Sequence, residues 1–183
     1  MEKTLTFQPY VDNISIGNKL SRFIWGLVST CLFRPFSFKY FNFWRINLLR
    51  LFGAKIGRGS VVYASAYIPA PWNLIVGELT CIGPGVKLHT GKTILGSKVT
   101  ISQRSYLCSA THETQFLNTP FYAGAINVHD YAWVAAEAFI MVNVTIGEGA
   151  IVGARSAVFK DVEPWTIVGG NPAKFIKKRL ISE

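Results

Sequence analysis

Residues 128–158 read VHDYAW-VAAEAF-IMVNVT-IGEGAI-VGARSA-V, and the spacing within them decides the fold. Val128, Val134, Ile140, Ile146, Val152 and Val158 are aliphatic at an unbroken interval of six. Ala132, Ala138, Val144, Ala150 and Ser156 each stand four residues after one of them. Ala135, Gly147 and Gly153 follow them directly. Six residues turn an α-helix by about 600°, so the ladder keeps no single helical face. A period of six suits a triangular coil with six residues per side and eighteen per turn. The aliphatic residue then points inward on every side, and the small residue fits beside the corner. Gly or Asn is expected where a corner needs positive φ.

Towards the N-terminus the ladder is less regular. Ile56-Gly57, Val62 and Ile68 keep the spacing, and Ala70-Pro71-Trp72 interrupts it. It resumes at Val76-Gly77, Ile82-Gly83 and Leu88, slips by one at Ile94-Leu95-Gly96, and continues through Ile101 and Leu107. The whole makes about five coils. Between Leu107 and Val128 lies the segment 108–127, with Thr111-His112-Glu113, Asn118-Thr119-Pro120 and Gly124. So long a loop in a tightly periodic fold points to function.

The N-terminal part of the chain, up to Phe52, follows other rules. Ser15 or Asn18 is placed to cap a helix from Lys19 to about Phe33, which Arg34-Pro35 breaks. A second helix is expected from about Tyr40 to Phe52, stopping at Gly53. Lys or Arg at 3, 19, 22, 34, 39, 45 and 50 against Glu2 and Asp12 gives a net +5. These helices are expected to cap the open end of the coil. A peripheral membrane contact through residues 19–52, with a basic rim, is compatible with that role.

The 183 residues are 50% hydrophobic and 16% charged, which excludes a disordered chain. The formal charge of +9 is accompanied by no nucleic-acid-binding motif, so no nucleic-acid partner is expected. Cys31, Cys81 and Cys108 lie far apart with no CxxC, which fits reduced thiols and a cytoplasmic setting. No apolar core with a small-residue cleavage site follows Glu2 and Lys3, so no signal peptide is expected. The longest uncharged apolar stretch, Phe23 to Phe33, falls well short of the roughly 20 residues that cross a bilayer. The expected location is cytoplasmic, at most peripheral at the inner face of the membrane.

Certain segments resemble the hexapeptide-repeat acyltransferases. They are Pro71-Trp72-Asn73-Leu74, Thr100-Ile101-Ser102-Gln103, Tyr106-Leu107-Cys108 with Thr111-His112, Ala132-Trp133-Val134, and Val168-Gly169-Gly170-Asn171-Pro172-Ala173-Lys174. The chain is similar in particular to the colanic acid biosynthesis acetyltransferases, near the maltose and galactoside acetyltransferases. The resemblance implies an all-β fold, a left-handed parallel β-helix with an N-terminal helical extension and an inserted loop. The expected division is 1–54 helical cap, 55–163 β-helix with loop 108–127, and 164–183 tail. It also implies a homotrimer with acetyl-CoA in the groove between adjacent prisms. The implied activity is O-acetylation of a saccharide hydroxyl in exopolysaccharide or cell-surface glycan synthesis, the acceptor free or lipid-linked.

His112 matches the family's catalytic histidine. A neutral imidazole takes the hydroxyl proton as attack on the thioester proceeds, a contribution of roughly 10²–10⁴-fold. The resemblance carries Trp133 over to the thiol end of the pantetheine arm. It carries Ala136 and Ala154 to backbone contacts with that arm, and Lys160, Lys174 and Lys177 to basic positions beside the cofactor and its phosphates. Ala135 replaces a common Gly, and Phe159 replaces a common small polar residue, which puts one nucleotide contact in doubt. Trp72, Asn73 and His89 are candidates for the acceptor side, with a packed corner aromatic as the competing reading of Trp72. The group that orients His112 is open between Glu113 and a backbone carbonyl. A zinc hydrolase on this coil needs close histidine pairs, whereas His89, His112 and His129 form none, so no metal is expected. A non-sugar or amino acceptor, or a scaffold without chemistry, are the other readings; coenzyme A binding separates the last.

Overall fold

The computed structural model describes residues 15–181. Glu2, Lys3 and Asp12 of the charge tally, the start of the expected cap and the end of the expected tail lie outside that range.

Three parallel sheets form the sides of a prism. The first carries Lys55–Ile56, Leu74–Val76, Lys92–Leu95, Ala125–Val128 and Thr145–Ile146 in that order. The second runs from Val61–Val62 through Cys81–Ile82, Thr100–Ile101, Trp133–Val134 and Ile151–Val152 to Thr166–Gly169. The third holds Lys87–Leu88, Tyr106–Cys108, Phe139–Met141 and Ala157–Val158. Val128 pairs with Ile146, Val134 with Val152, and Ile140 with Val158. Each pair is three ladder steps apart, so three sides make one coil. The six ladder residues are at most 2% exposed and stack on one another along the axis. Ala132, Ala138, Ala150 and Ser156 are equally buried at the corners. Burying one such aliphatic side chain stabilises by about 1.5–3 kcal/mol. This is a left-handed parallel β-helix.

The departures from three even steps have local causes. Ile56 pairs with Val76, a longer coil, because a short 3₁₀ turn at Pro71–Asn73 takes up the extra chain. Val76 pairs with Leu95, which absorbs the slip at Ile94-Leu95. Leu95 pairs with Val128, the added chain leaving the prism between the third and first sides. Within that excursion Ala110–His112 and Phe121–Ala123 pair antiparallel as a hairpin, whereas Ala125–Val128 already belongs to the first side.

The corners meet the expectation that Gly or Asn supplies positive φ only in part: Gly59, Gly85 and Gly149 do so at 70°, 67° and 62°. Asn143 does so at 63°, but Lys98, Arg104, Tyr131, Glu137 and Arg155 sit at 58–60°. A left-handed residue costs roughly 1–2 kcal/mol. The conformation aims the Lys98, Arg104, Glu137 and Arg155 amides at carbonyls one coil away, at 2.7–3.0 Å, which offsets that cost. Gly147, by contrast, has no positive φ; a Cβ there would meet Pro164 N at 2.5 Å. The chain's close approach, not its twist, requires that glycine.

Helix α1 (Ile16–Val28) starts earlier than the sequence suggests, with Ser15 as its cap accepting from Asn18 N. It runs on through a wider turn at Ser29–Phe33. Helix α2 (Asn42–Leu51) ends at Gly53, where φ is 89°. The two helices close the first coil on all three sides. Arg50 donates to Ile56 O on the first side. Arg45 Nε donates to Val62 O at 2.9 Å, while Asn42 donates to Ser60 O and accepts from Val62 N, on the second. Trp25 Nε1 donates to Ile68 O at 2.6 Å on the third. Unpaired strand-edge groups are thereby satisfied by side chains. Arg45 is 2% exposed and also holds the Phe36 and Phe38 carbonyls, which ties the inter-helix linker to the prism. Burial alone lowers its pKa below the ordinary value.

Candidate functional site

The excursion exists because the chain leaves the ladder after Leu107 and returns at Ala125 with its strands paired to each other. His112 pairs with Phe121 in that hairpin. His112 is exposed, and its Nδ1 lies 2.7 Å from the Thr119 carbonyl oxygen. A carbonyl only accepts, so Nδ1 carries the hydrogen and Nε2 holds the lone pair of the neutral ring. Among the described residues Nε2 has no hydrogen-bond partner. The orienting group is thus a backbone carbonyl, the second of the two alternatives in the sequence, and Glu113 does not fill the role.

Phe121 stands between two imidazoles, with centroid distances of 5.8 Å to His112 and 6.2 Å to His89. His89 is half-buried, with Nδ1 3.2 Å from Thr90 Oγ1. Burial, then the nearby Arg22 and His112 charges, lower its pKa below 6.5, so it is neutral at pH 7. Tyr106, 6.3 Å from His89, is pushed up to about 12, by burial first and then by Cys108, and stays a phenol. Asn73 Nδ2 donates to Thr90 O at 2.7 Å. Asn73, Thr90, His89, Phe121 and His112 therefore form one continuous polar and aromatic wall. Trp72 is half-buried against the core, its Cβ packed over Gly53. It belongs to the junction with the helical cap, and Asn73 alone of the pair reaches Thr90.

Most of the positions matched to acetyl-CoA lie away from the edge of the prism that carries this wall. Trp133 projects from the second side, 44% exposed, and its Nε1 donates to Ser102 Oγ at 2.8 Å. Ala136 and Ala154 occupy the same corner, between the second and third sides, one coil apart; Arg155 N donates to Ala136 O at 2.9 Å. Glu137 at that corner bridges Arg104 and Arg155, and the Arg155 hydrogen bond is the main cause of its lowered pKa. Strand Lys174–Lys178 adds antiparallel to Thr166–Gly169 and so extends the sheet that carries Trp133. Lys160 lies beyond it on the turn after the third side. It shares a hollow of about 420 Å³ at the C-terminal end with Phe159, Phe175 and Lys178. One chain thus brings His89, His112 and Asn73 to the edge between the third and first sides, which Lys160 shares nearer the C-terminal end, and places Trp133, Ala136, Ala154, Lys174 and Lys177 away from it. Thr90, Ser102, Thr119 and Phe121 carry no role in the sequence reading. Their contacts arise from the Thr90 and Thr119 carbonyls, from the Thr90 and Ser102 hydroxyls, and from hairpin pairing of Phe121, which no spacing announces.

No family model matches the chain. A relative named colanic acid biosynthesis acetyltransferase WcaF, from Escherichia coli K12, is 38% identical over 168 residues, 91% of this chain and 92% of its own. The chain belongs to the hexapeptide-repeat acetyltransferase family. The fold is shared with the hexapeptide-repeat acetyltransferase VCA0836 of Vibrio cholerae, solved with acetyl coenzyme A. The TM-score is 0.82 at 22% identity, over 94% of each chain. Galactoside acetyltransferase in complex with coenzyme A superimposes with a TM-score of 0.81 at 20% identity, over 91% of this chain and 84% of that one. Among the described residues no group of three His, Cys, Asp or Glu is placed to hold a metal. Cys31, Cys81 and Cys108 are free thiols.

Proposed function

We propose that this family member transfers the acetyl group of acetyl-CoA directly to a saccharide hydroxyl, with His112 as general base. The observation that supports this most is the Nδ1 contact of His112 with the Thr119 carbonyl. It leaves the Nε2 lone pair of an exposed ring without a hydrogen-bond partner among the described residues, on an insertion from an otherwise closed coil. The acceptor oxygen attacks the thioester carbon while Nε2 takes its proton. The tetrahedral intermediate then expels the coenzyme A thiolate, which regains the proton from the imidazolium. Such a base contributes roughly 10²–10⁴-fold. A neutral His89 and Asn73 line the acceptor side, with Trp72 behind Asn73 at the cap junction.

Trp133 lies at the thiol end of the cofactor, the Ala136 and Ala154 backbones along its arm, and Lys160, Lys174 and Lys177 near its phosphates. Small side chains at Ala136 and Ala154 permit close approach, and the lysines supply opposite charge. Because Trp133, Ala136, Ala154, Lys174 and Lys177 lie away from the edge that carries His112, the working site is completed between subunits of a homotrimer. The enzyme acts in the cytoplasm on a surface-glycan precursor, free or lipid-linked. The test is a screen of acetyl-CoA consumption against free and lipid-linked saccharides. Saccharide-dependent release of coenzyme A is expected. Coenzyme A binding with no turnover on any saccharide, but turnover on an amine, would overturn the choice of acceptor.

A further inference from the structure

Helix α1 has two apolar faces, and only one is used by the fold. Trp25 points into the first coil and is 2% exposed. At about 100° per residue, Ile16, Leu20, Phe23, Ile24 and Leu27 fall within a stripe about 100° wide on the other side. These five are 44–85% exposed. The patch continues onto α2, where exposed Trp44 donates through Nε1 to Leu32 O at 2.8 Å. A monomer rarely leaves so much contiguous apolar surface to water without a partner.

The charge around the stripe selects that partner. From Asn13 to Gly77 there are eight Lys or Arg residues and no Asp or Glu. Lys19, Arg34 and Lys39 are exposed on the helical segment itself. Two copies meeting by this face would bring like charges together. A leaflet with anionic headgroups offers opposite charge at the surface and an apolar boundary just beneath it. No helix among the described residues is long and apolar enough to cross a membrane, so the helix would lie in the interfacial plane.

We infer that the outer stripe of α1, continued by Trp44, docks the enzyme on an anionic lipid surface. Docking is independent of acetyl transfer. Its use to the enzyme rests on the acceptor reading above, since Arg22 of the same helix reaches close enough to His89 to disfavour its charge. A lipid-borne acceptor would be met at the side where the helix docks.

The test is co-sedimentation with vesicles of equal parts phosphatidylglycerol and phosphatidylcholine, and with phosphatidylcholine alone. The wild type and Leu20→Ser/Phe23→Ser/Leu27→Ser are compared, with coenzyme A binding and sizing as controls on folding. The wild type is expected to sediment with the mixed vesicles, less with phosphatidylcholine alone, and less at about 1 M salt. The triple variant should lose at least about tenfold in bound fraction while keeping coenzyme A binding. A wild type that ignores both vesicles, a variant that binds as the wild type does, or a wild type that forms a larger assembly than the variant would each overturn the inference. None of these outcomes bears on whether the protein transfers acetyl groups.

Discussion

His112 Nδ1 donates to the Thr119 carbonyl oxygen at 2.7 Å. The partner is backbone, so its chemistry does not depend on the Thr119 side chain. Thr119→Ala should keep kcat within about threefold, since the hydrogen-bonded carbonyl is retained. The imidazole ¹⁵N spectrum at alkaline pH should show Nδ1 protonated and Nε2 bare. A Nε2–H tautomer would contradict the assignment.

The second prediction concerns the cap. Arg45 satisfies the Val62, Phe36 and Phe38 carbonyls from a buried position. Arg45→Met preserves much of the packing and removes the donors. It should destabilise by about 2–4 kcal/mol, read as a lowered urea midpoint. Lys39→Met, at an exposed position of the same segment, should change stability by less than about 0.5 kcal/mol.

The pH dependence of stability has a defined direction at His89. Its folded pKa lies below the ordinary 6.5, so the unfolded chain binds more protons between those two values. Stability is therefore full above pH 6.5 and falls as the pH drops through the lowered folded value. The thermal midpoint should fall as the pH is lowered from 6.5 through that value, and His89→Gln should flatten part of the fall. A variant whose acid profile matches the wild type would remove His89 as a cause.

If the site is shared between subunits, two inactive variants can restore each other. His112→Ala lacks the base, and Ala154→Trp blocks the cofactor edge. Mixed trimers from equal amounts should recover about a quarter of the sites, those pairing an intact histidine with an intact neighbouring edge. Recovery at the level of background would mean that each site is built from one chain.

The prism was legible because burial on every side imposes one aliphatic residue per six, as Val128 to Val158 display. The corners were less so. Lys98, Glu137 and Arg155 take positive φ because their amides are bonded by the neighbouring coil, and that depends on stacking rather than on residue type. His112 stood out by its insertion, but its partner did not, since a carbonyl is present at every residue and only the fold selects one. Arg45 counted as one of several N-terminal charges in the sequence, which carries no sign of its burial beneath the helices.

Removal of the acceptor's proton by His112 is tested most directly by steady-state acetyl transfer of His112→Ala beside its affinity for coenzyme A. A fall in kcat of at least about 10², with coenzyme A affinity unchanged, is the predicted result. A variant that turns over at the wild-type rate would contradict it.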